Sequence, residues 1–211
     1  MVMYARRVIT VLVVDIRDFT PLTRQLDEAV LAQTIGTWFR QAGLILRQYH
    51  ASGDKYIGDA VMAVWTHAVG KPNSVEVLSA LRALAEIQDV TRTLHEKFPL
   101  PAPLRIGAGV NTGLSVMSNT GPQENPDFSP LGDAVNAAFR LETSTKNSGF
   151  DVSLGCTTME SLQEGNAGVA RYFEKKSVQL KGYENSIDAW FTSFGRLRSF
   201  LDDSDPERTR S

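Results

Sequence analysis

Val8 to Ile16 (VITVLVVDI) is an apolar, β-branched run with the length of a buried central strand. Thr20-Pro21 follows as N-cap and first helical residue. Leu26, Val30, Ile35, Trp38, Ala42, Ile45 and Tyr49 then recur at helical steps, predicting one amphipathic helix to about His50. Gly53 to Trp65 reads as a hairpin: a short strand over Lys55 to Ile57, a turn at Gly58-Asp59, and an apolar return strand over Ala60 to Trp65. Ser74 to Phe98 is predicted as a second helix, stopped by Pro99, Pro101 and Pro103. Leu104 to Asn111 and Leu114 to Ser118 read as a second hairpin turning at Thr112-Gly113, and Asn119 to Pro130 as a polar loop. Leu131 to Lys146 is a third helix, ended by Asn147-Ser148-Gly149. Val152 to Leu154 is a strand and Thr157 to Leu162 a short helix. Tyr172 to Leu180 and Ala189 to Phe194 form a last strand pair.

The order predicts an α+β fold: the split, ferredoxin-like βαββαβ sandwich of palm type, with strands added at its C-terminal end. Its 211 residues fit one domain, taken as residues 1–195 with a charged, flexible tail over 196–211. At 42% hydrophobic and 22% charged residues the composition is that of a globular protein, and a net charge of −2 argues against a general nucleic-acid binder. No apolar run reaches the span of a bilayer, and the N-terminus lacks a signal-peptide core. Cys156 is the single cysteine, so no intrachain disulfide forms, and a cytoplasmic setting is expected. A membrane anchor or upstream sensor domain on a longer chain stays open.

Chemistry concentrates in two acids. Asp15 ends the first strand and Asp59 sits in the turn of the next hairpin. A split βαβ fold sets these strands side by side, so the two carboxylates meet. Close carboxylates repel unless a positive charge intervenes, and hard divalent cations favour oxygen ligands and phosphate. Taken singly, Asp59 reads first as a turn residue, and Asp15 also fits a strand-end cap; an acid at the end of a very apolar strand with a second acid in the neighbouring turn makes those readings less attractive.

Four segments together resemble a known family. Asp15-Ile16-Arg17-Asp18-Phe19-Thr20, Lys55-Tyr56-Ile57-Gly58-Asp59-Ala60-Val61-Met62, Arg105-Ile106-Gly107 through Thr112-Gly113, and Gly132-Asp133-Ala134-Val135-Asn136 through Arg140-Leu141-Glu142 are similar, in order and spacing, to the motifs of class III nucleotidyl cyclases. The resemblance runs from about residue 8 to 194. It implies that Asp15, Asp59 and the main chain of Ile16 hold two Mg²⁺ or Mn²⁺ ions. Phe19, Thr20 and Arg105 would bind the triphosphate, with Lys181 on its terminal phosphates. Asn136 and Arg140 would hold the ribose and stabilise charge at the reacting phosphate; four apart on a helix, they share a face. Lys55 and Ser129 would read the base.

Lysine is a donor only, which suits an adenine ring nitrogen, whereas Ser129 both donates and accepts. ATP is therefore favoured over GTP, with cyclic AMP as the product and guanylate cyclase as the alternative. The resemblance also implies a homodimer with two shared sites, each taking Asp15, Asp59 and Arg105 from one chain and Lys55, Ser129, Asn136, Arg140 and Lys181 from the other. A domain of this kind that has lost its chemistry is a weaker reading, because both acids and the Asn/Arg pair are present. A diguanylate cyclase is weaker still, because Ile57-Gly58-Asp59-Ala60 stands where its Gly-Gly-Asp/Glu-Glu-Phe hairpin belongs.

Overall fold

The computed structural model describes residues 4–68, 70–119 and 128–204. Strand β1 (Tyr4–Ile16) is flanked on one side by β3 (Ala60–Thr66) and on the other by β4 (Ile106–Asn119), both antiparallel. With β2 (Gly53–Ile57) outside β3, the first four strands run β2-β3-β1-β4, the split βαβ order expected from the sequence. The sheet continues through β6 (Val152–Gly155), β8 (Ile187–Thr192) and β7 (Glu174–Val178), while β5 (Phe128–Leu131) pairs with the far end of β4.

Alternation along β1 decides which side chains meet which helices. Leu12, Val14 and Ile16 join the main core under α2 (Glu28–Gln48) and α3 (Ser74–Thr93), with Trp38, Leu46, Leu81 and Leu84. Ile9, Val11 and Val13 face the other way, onto Val135, Ala138 and Phe139 of α4 (Asp133–Thr145). Asp15 continues this second series, so the carboxylate that ends the strand emerges beside α4. The helix lies very close to the sheet: a Cβ on Gly109 of β4 would collide with the Ala138 carbonyl and the Glu142 amide of α4. Asn111 Nδ2 donates to the Ala134 carbonyl at 3.0 Å and anchors its first turn.

Several expectations are corrected. The first helix is two. α1 (Phe19–Gln25) starts at Asp18, not at Thr20, and Leu26 is extended before Asp27 caps α2 by accepting from the N–H groups of Ala29 and Val30. The second predicted hairpin does not exist. β4 runs straight through Thr112 and Gly113, paired with Thr10 and Ile9 of β1. Thr112 is buried, bonded to Thr10 at 2.8 Å and to Thr158 of α5 (Cys156–Gly165) at 3.1 Å, while Gly113 makes room for Ala134 of α4. Of the predicted loop over 119–130, residues 120–127 lie outside the described residues, and 128–131 form β5. Of the expected tail over 196–211, residues 196–203 are instead part of α6 (Phe194–Asp203), which buries Leu197 and Phe200 and ties to α3 through Arg198, bonded to the Ala85 carbonyl at 2.9 Å, and residues 205–211 lie outside the described residues. Among the described residues no helix is long and apolar enough to cross a membrane.

Candidate active site

The β1–β3 register pairs Asp15 with Ala60, which sets Asp15 against Asp59 across the two strands. Gly58, with φ +62°, makes the tight turn that presents Asp59. Burial, and then the Asp15 charge, push the Asp59 carboxyl above its ordinary value. Both acids open into a cleft of about 680 Å³ lined also by residues 16–20, Arg105 and Lys146.

Lys146, just beyond α4, reaches back with Nζ 2.8 Å from Asp15 Oδ2 and 3.9 Å from Glu142. Burial works against its charge, but the hydrogen bond to Asp15 and the fields of Glu142 and Asp15 outweigh it and raise its pKa. Glu142 is only 4% exposed, and its carboxyl is pushed up by burial and then by Asp15, against the pull of Lys146 and Arg17. Arg17 answers it directly, with Nη1 2.9 Å from Oε1 and a second bond to Thr145. This buried pair clamps the segment after Asp15 onto the C-terminal half of α4. A side chain at Gly107 would occupy the space of the Arg17 guanidinium.

Phe19 and Thr20 open α1, whose first turn holds no acidic residue. The first N–H groups of a helix have no partner within it and attract anions. Arg105 stands at the same mouth, paired with Asp18 at 3.0 Å, both side chains about three-quarters exposed (75% and 73%). An ion pair that open to water holds little, so Arg105 is available to a stronger anion.

The other expected residues lie elsewhere. Lys55 Nζ donates to Ser129 Oγ, joining β2 to β5 across the sheet edge. Beside them is a smaller cavity of about 220 Å³ lined by Met62, Val64, Met117 and Pro130. Asn136 and Arg140 stand on the outward stripe of α4, with Asn136 exposed. Asn136 is ten residues before Lys146, roughly 15 Å along the helix axis at the standard rise. Lys181 is exposed in the loop between β7 and β8. None of Lys55, Ser129, Asn136, Arg140 or Lys181 lines the acidic cleft. The chain thus carries two groups of candidate residues that do not meet within one copy.

Sequence reasoning missed Arg17, Glu142 and Lys146 as parts of the acidic end. The signal available was the Glu142–Lys146 spacing of four on a helix.

The model of the adenylate and guanylate cyclase catalytic domain family matches residues 1–193. The adenylate cyclase of Anabaena cylindrica is 27% identical over 184 residues, covering 87% of this chain and 36% of its own length. The terminal-differentiation specific adenylate cyclase of Dictyostelium discoideum is 27% identical over 183 residues, 86% of this chain and 8% of its own. This chain therefore spans well under two thirds of either relative. Among solved structures, the adenylyl cyclase CyaB of P. aeruginosa superposes with a TM-score of 0.75 at 22% identity, covering 90% of this chain and 95% of that one. The guanylyl cyclase Cya2 gives 0.73 at 25% identity, with 89% and 92% covered.

Proposed function

Because the chain belongs to the adenylate and guanylate cyclase catalytic domain family, we propose that it converts ATP to 3′,5′-cyclic AMP and pyrophosphate at sites shared by two copies. The ribose 3′-oxygen attacks the α-phosphorus in line. The bond from that phosphorus to the β-phosphate oxygen breaks, and the 3′-hydroxyl proton leaves to solvent. His50, His67 and His95 do not line the acidic cleft, so no histidine base is invoked.

The observation that carries this reading is the Asp15–Asp59 pair at the cleft, with Asp59 destabilised as an anion by burial and then by its neighbour. Such a pair suits divalent cations: hard oxygen donors, repelling each other, open to phosphate oxygens that would complete the coordination. Asp15, Asp59 and the Ile16 carbonyl would hold two Mg²⁺ or Mn²⁺ ions, which when bound would acidify the 3′-hydroxyl and neutralise phosphate charge. Phe19 and Thr20 would receive phosphate oxygens on their N–H groups, and Arg105 would exchange Asp18 for phosphate.

The second group would come from the partner copy. Asn136 would orient the ribose, and Arg140 would offer its fork to the charge gathering on the α-phosphate. Lys181 would meet the terminal phosphates. Two-fold symmetry supplies each half of the site twice, so one kind of chain completes two sites. The roughly 15 Å between Asn136 and Lys146 along α4 supports this division, because the ribose and the α-phosphate bonded to it are immediate neighbours, too close for Asn136 and the acidic end of one copy to serve both.

Preference for ATP rests on Lys55 and Ser129. Lys55 presents N–H donors and Ser129 an acceptor oxygen, the complement of adenine's ring nitrogen and amine. Met62, Val64, Met117 and Pro130 line an apolar wall of the cavity beside them. The reading is tested by supplying the purified chain with Mn²⁺ and either ATP or GTP and measuring cyclic AMP and cyclic GMP. Cyclic AMP formation that disappears in Asp15→Ala supports it. A chain that dimerises yet makes neither product refutes it.

A further inference from the structure

The outward stripe of α4 carries Asp133, Asn136 and Arg140, spaced three and four apart. The loop between β7 and β8 arches over this stripe. The loop is closed on itself: the Tyr183 N–H donates to the Leu180 carbonyl at 3.1 Å, Gln179 Nε2 donates to the Tyr183 carbonyl at 2.6 Å, and Ser186 Oγ donates to Gln179 Oε1 at 3.1 Å. Gly182 takes φ +82° at its turn, where an added Cβ would stand 3.1 Å from Arg140 Nη2. That turn delivers the Tyr183 ring onto the Arg140 guanidinium, with Cζ 4.9 Å from the ring centroid. The phenol does not stop there. Its hydroxyl donates to Asp133 Oδ1 at 2.6 Å, two turns up the same helix.

We propose that Tyr183 is a positioning residue for Arg140: its ring holds the guanidinium in place, and Asp133 holds the ring by its hydroxyl. The proposal rests on the role given to Arg140 above. An arginine side chain has many rotamers, and one that must meet a transient charge gains from having its place fixed beforehand. The arrangement is rigid at both ends. Asp133 and Arg140 are fixed by one helix, and the loop is fixed by its own hydrogen bonds. Burial, and then the hydrogen bond to Asp133, raise the phenol pKa, so the hydroxyl remains a donor across neutral pH. Tyr183 touches no reacting atom in this scheme; it acts only through Arg140.

The test uses the full chain in five variants: Tyr183→Leu, Tyr183→Phe, Asp133→Ala, Arg140→Gln, and Tyr183→Leu combined with Arg140→Gln. Loss of the ring should lower kcat on the order of 10-fold, with KM for ATP changed less than about twofold, as expected when positioning rather than binding is lost. Tyr183→Phe keeps the ring and should retain most activity, matched by Asp133→Ala, because one removes the donor and the other the acceptor of the same hydrogen bond. In the Arg140→Gln background the Leu substitution should cost little, since no cation is left for the ring to hold. An equal loss in both backgrounds, or an unchanged kcat in Tyr183→Leu, overturns the proposal. Arginine-labelled NMR separates this from the cyclase reading itself. An Arg140 side-chain signal shifted by the aromatic ring in the parent and in Tyr183→Phe, and lost in Tyr183→Leu, supports the contact even in a chain with no cyclase activity. An unshifted Arg140 signal in the parent overturns it. If Tyr183→Leu melts early, Tyr183→Phe and Asp133→Ala decide: unequal losses overturn the proposal.

Discussion

Lys146 Nζ lies 2.8 Å from Asp15 Oδ2, and so sets an ammonium against the acid that has Asp59 as its other neighbour. The lysine comes from the end of α4 and the acid from the end of β1, and α4 packs closely on Gly109 of β4, the strand beside β1. An internal cation at this point lowers the charge that a divalent ion would feel. Lys146→Met should therefore tighten Mn²⁺ binding by about threefold to tenfold, a modest gain because the lysine is 46% exposed and screened. Titration of free Mn²⁺ by electron spin resonance measures it. The same variant should melt earlier without metal, because the two acids then face each other unrelieved, and added Mn²⁺ should restore the difference.

Asp59 gives a prediction with a definite sign. Its folded-state pKa is raised above the ordinary 3.8 by burial and by Asp15. The folded chain thus takes up this proton more readily than the unfolded chain. Ionised Asp59 costs stability at neutral pH, and the cost is relieved as pH falls through the folded pKa. Metal-free Asp59→Asn should melt higher than the parent at pH 7. The gap should close as pH falls toward 3.8. The same variant should lose cyclase activity, the usual cost of removing a functional strain. Equal melting temperatures at neutral pH would mean that the acidic pair stores none.

Sharing of the sites is open to a mixing experiment. Asp59→Ala and Asn136→Ala chains should each be inactive alone. Mixed one to one, half the dimers pair unlike chains, and each of those has one site with both residues intact. Roughly a quarter of parental activity should return if a C₂ pair builds two sites. Dimers confirmed by light scattering, with no recovered activity, would exclude the shared arrangement.

Local pattern carried the outline of the fold and the acidic pair. β1, the β2–β3 hairpin and the spacing of Asn136 and Arg140 are each written within one segment. What escaped is chemistry between distant segments. Thr112-Gly113 looks like a turn because threonine and glycine are read alone. In the sheet, Thr112 is bonded to Thr10 and Thr158, and Gly113 yields space to Ala134. Residues 196–203 look like a charged tail because Leu197 and Phe200 find their apolar partners only across α3 and the loop before β7. The Asp133–Tyr183–Arg140 unit was invisible for the same reason, since its middle member comes from another element. The break before Asp27 was legible, because an acid followed by Glu28-Ala29 is a helix start, but helical spacing on both sides concealed it.

In the proposed reading, substrate choice would turn on the charge of Lys55. Lys55 donates to Ser129 beside the apolar wall of Met62 and Met117. Lys55→Glu replaces a donor with an acceptor, which matches guanine's N–H groups and opposes adenine's ring nitrogen. A mismatched buried hydrogen bond of this kind costs on the order of 10- to 100-fold in kcat/KM. The variant should therefore lose activity on ATP by that order and gain on GTP. Parallel loss on both triphosphates would show that Lys55 supports the hairpin rather than the base.

His67 makes the opposite pH prediction to Asp59, at the other end of β1. Its Nε2 is 2.8 Å from Thr10 Oγ1, and its Nδ1 accepts the Asn73 N–H at 3.1 Å. An acceptor role for Nδ1 requires the neutral ring, with Nε2–H donating to Thr10. Burial lowers the His67 pKa from 6.5, and the carboxylate of Glu76, 3.7 Å from Nδ1, only partly opposes this. The stability held by the neutral ring is complete above pH 6.5. It is lost as pH falls from there through the folded pKa, because the unfolded chain binds that proton first. Protonation would also break the Asn73 contact at the start of α3 and load the Thr10–Thr112–Thr158 network. The parent should therefore lose melting temperature below pH 6.5 more steeply than His67→Gln, which cannot titrate. Asp59→Asn removes a term that favours acid, so in that background the acid-side fall should be steeper still. Identical acid-side slopes in the parent and His67→Gln would assign the fall to other groups.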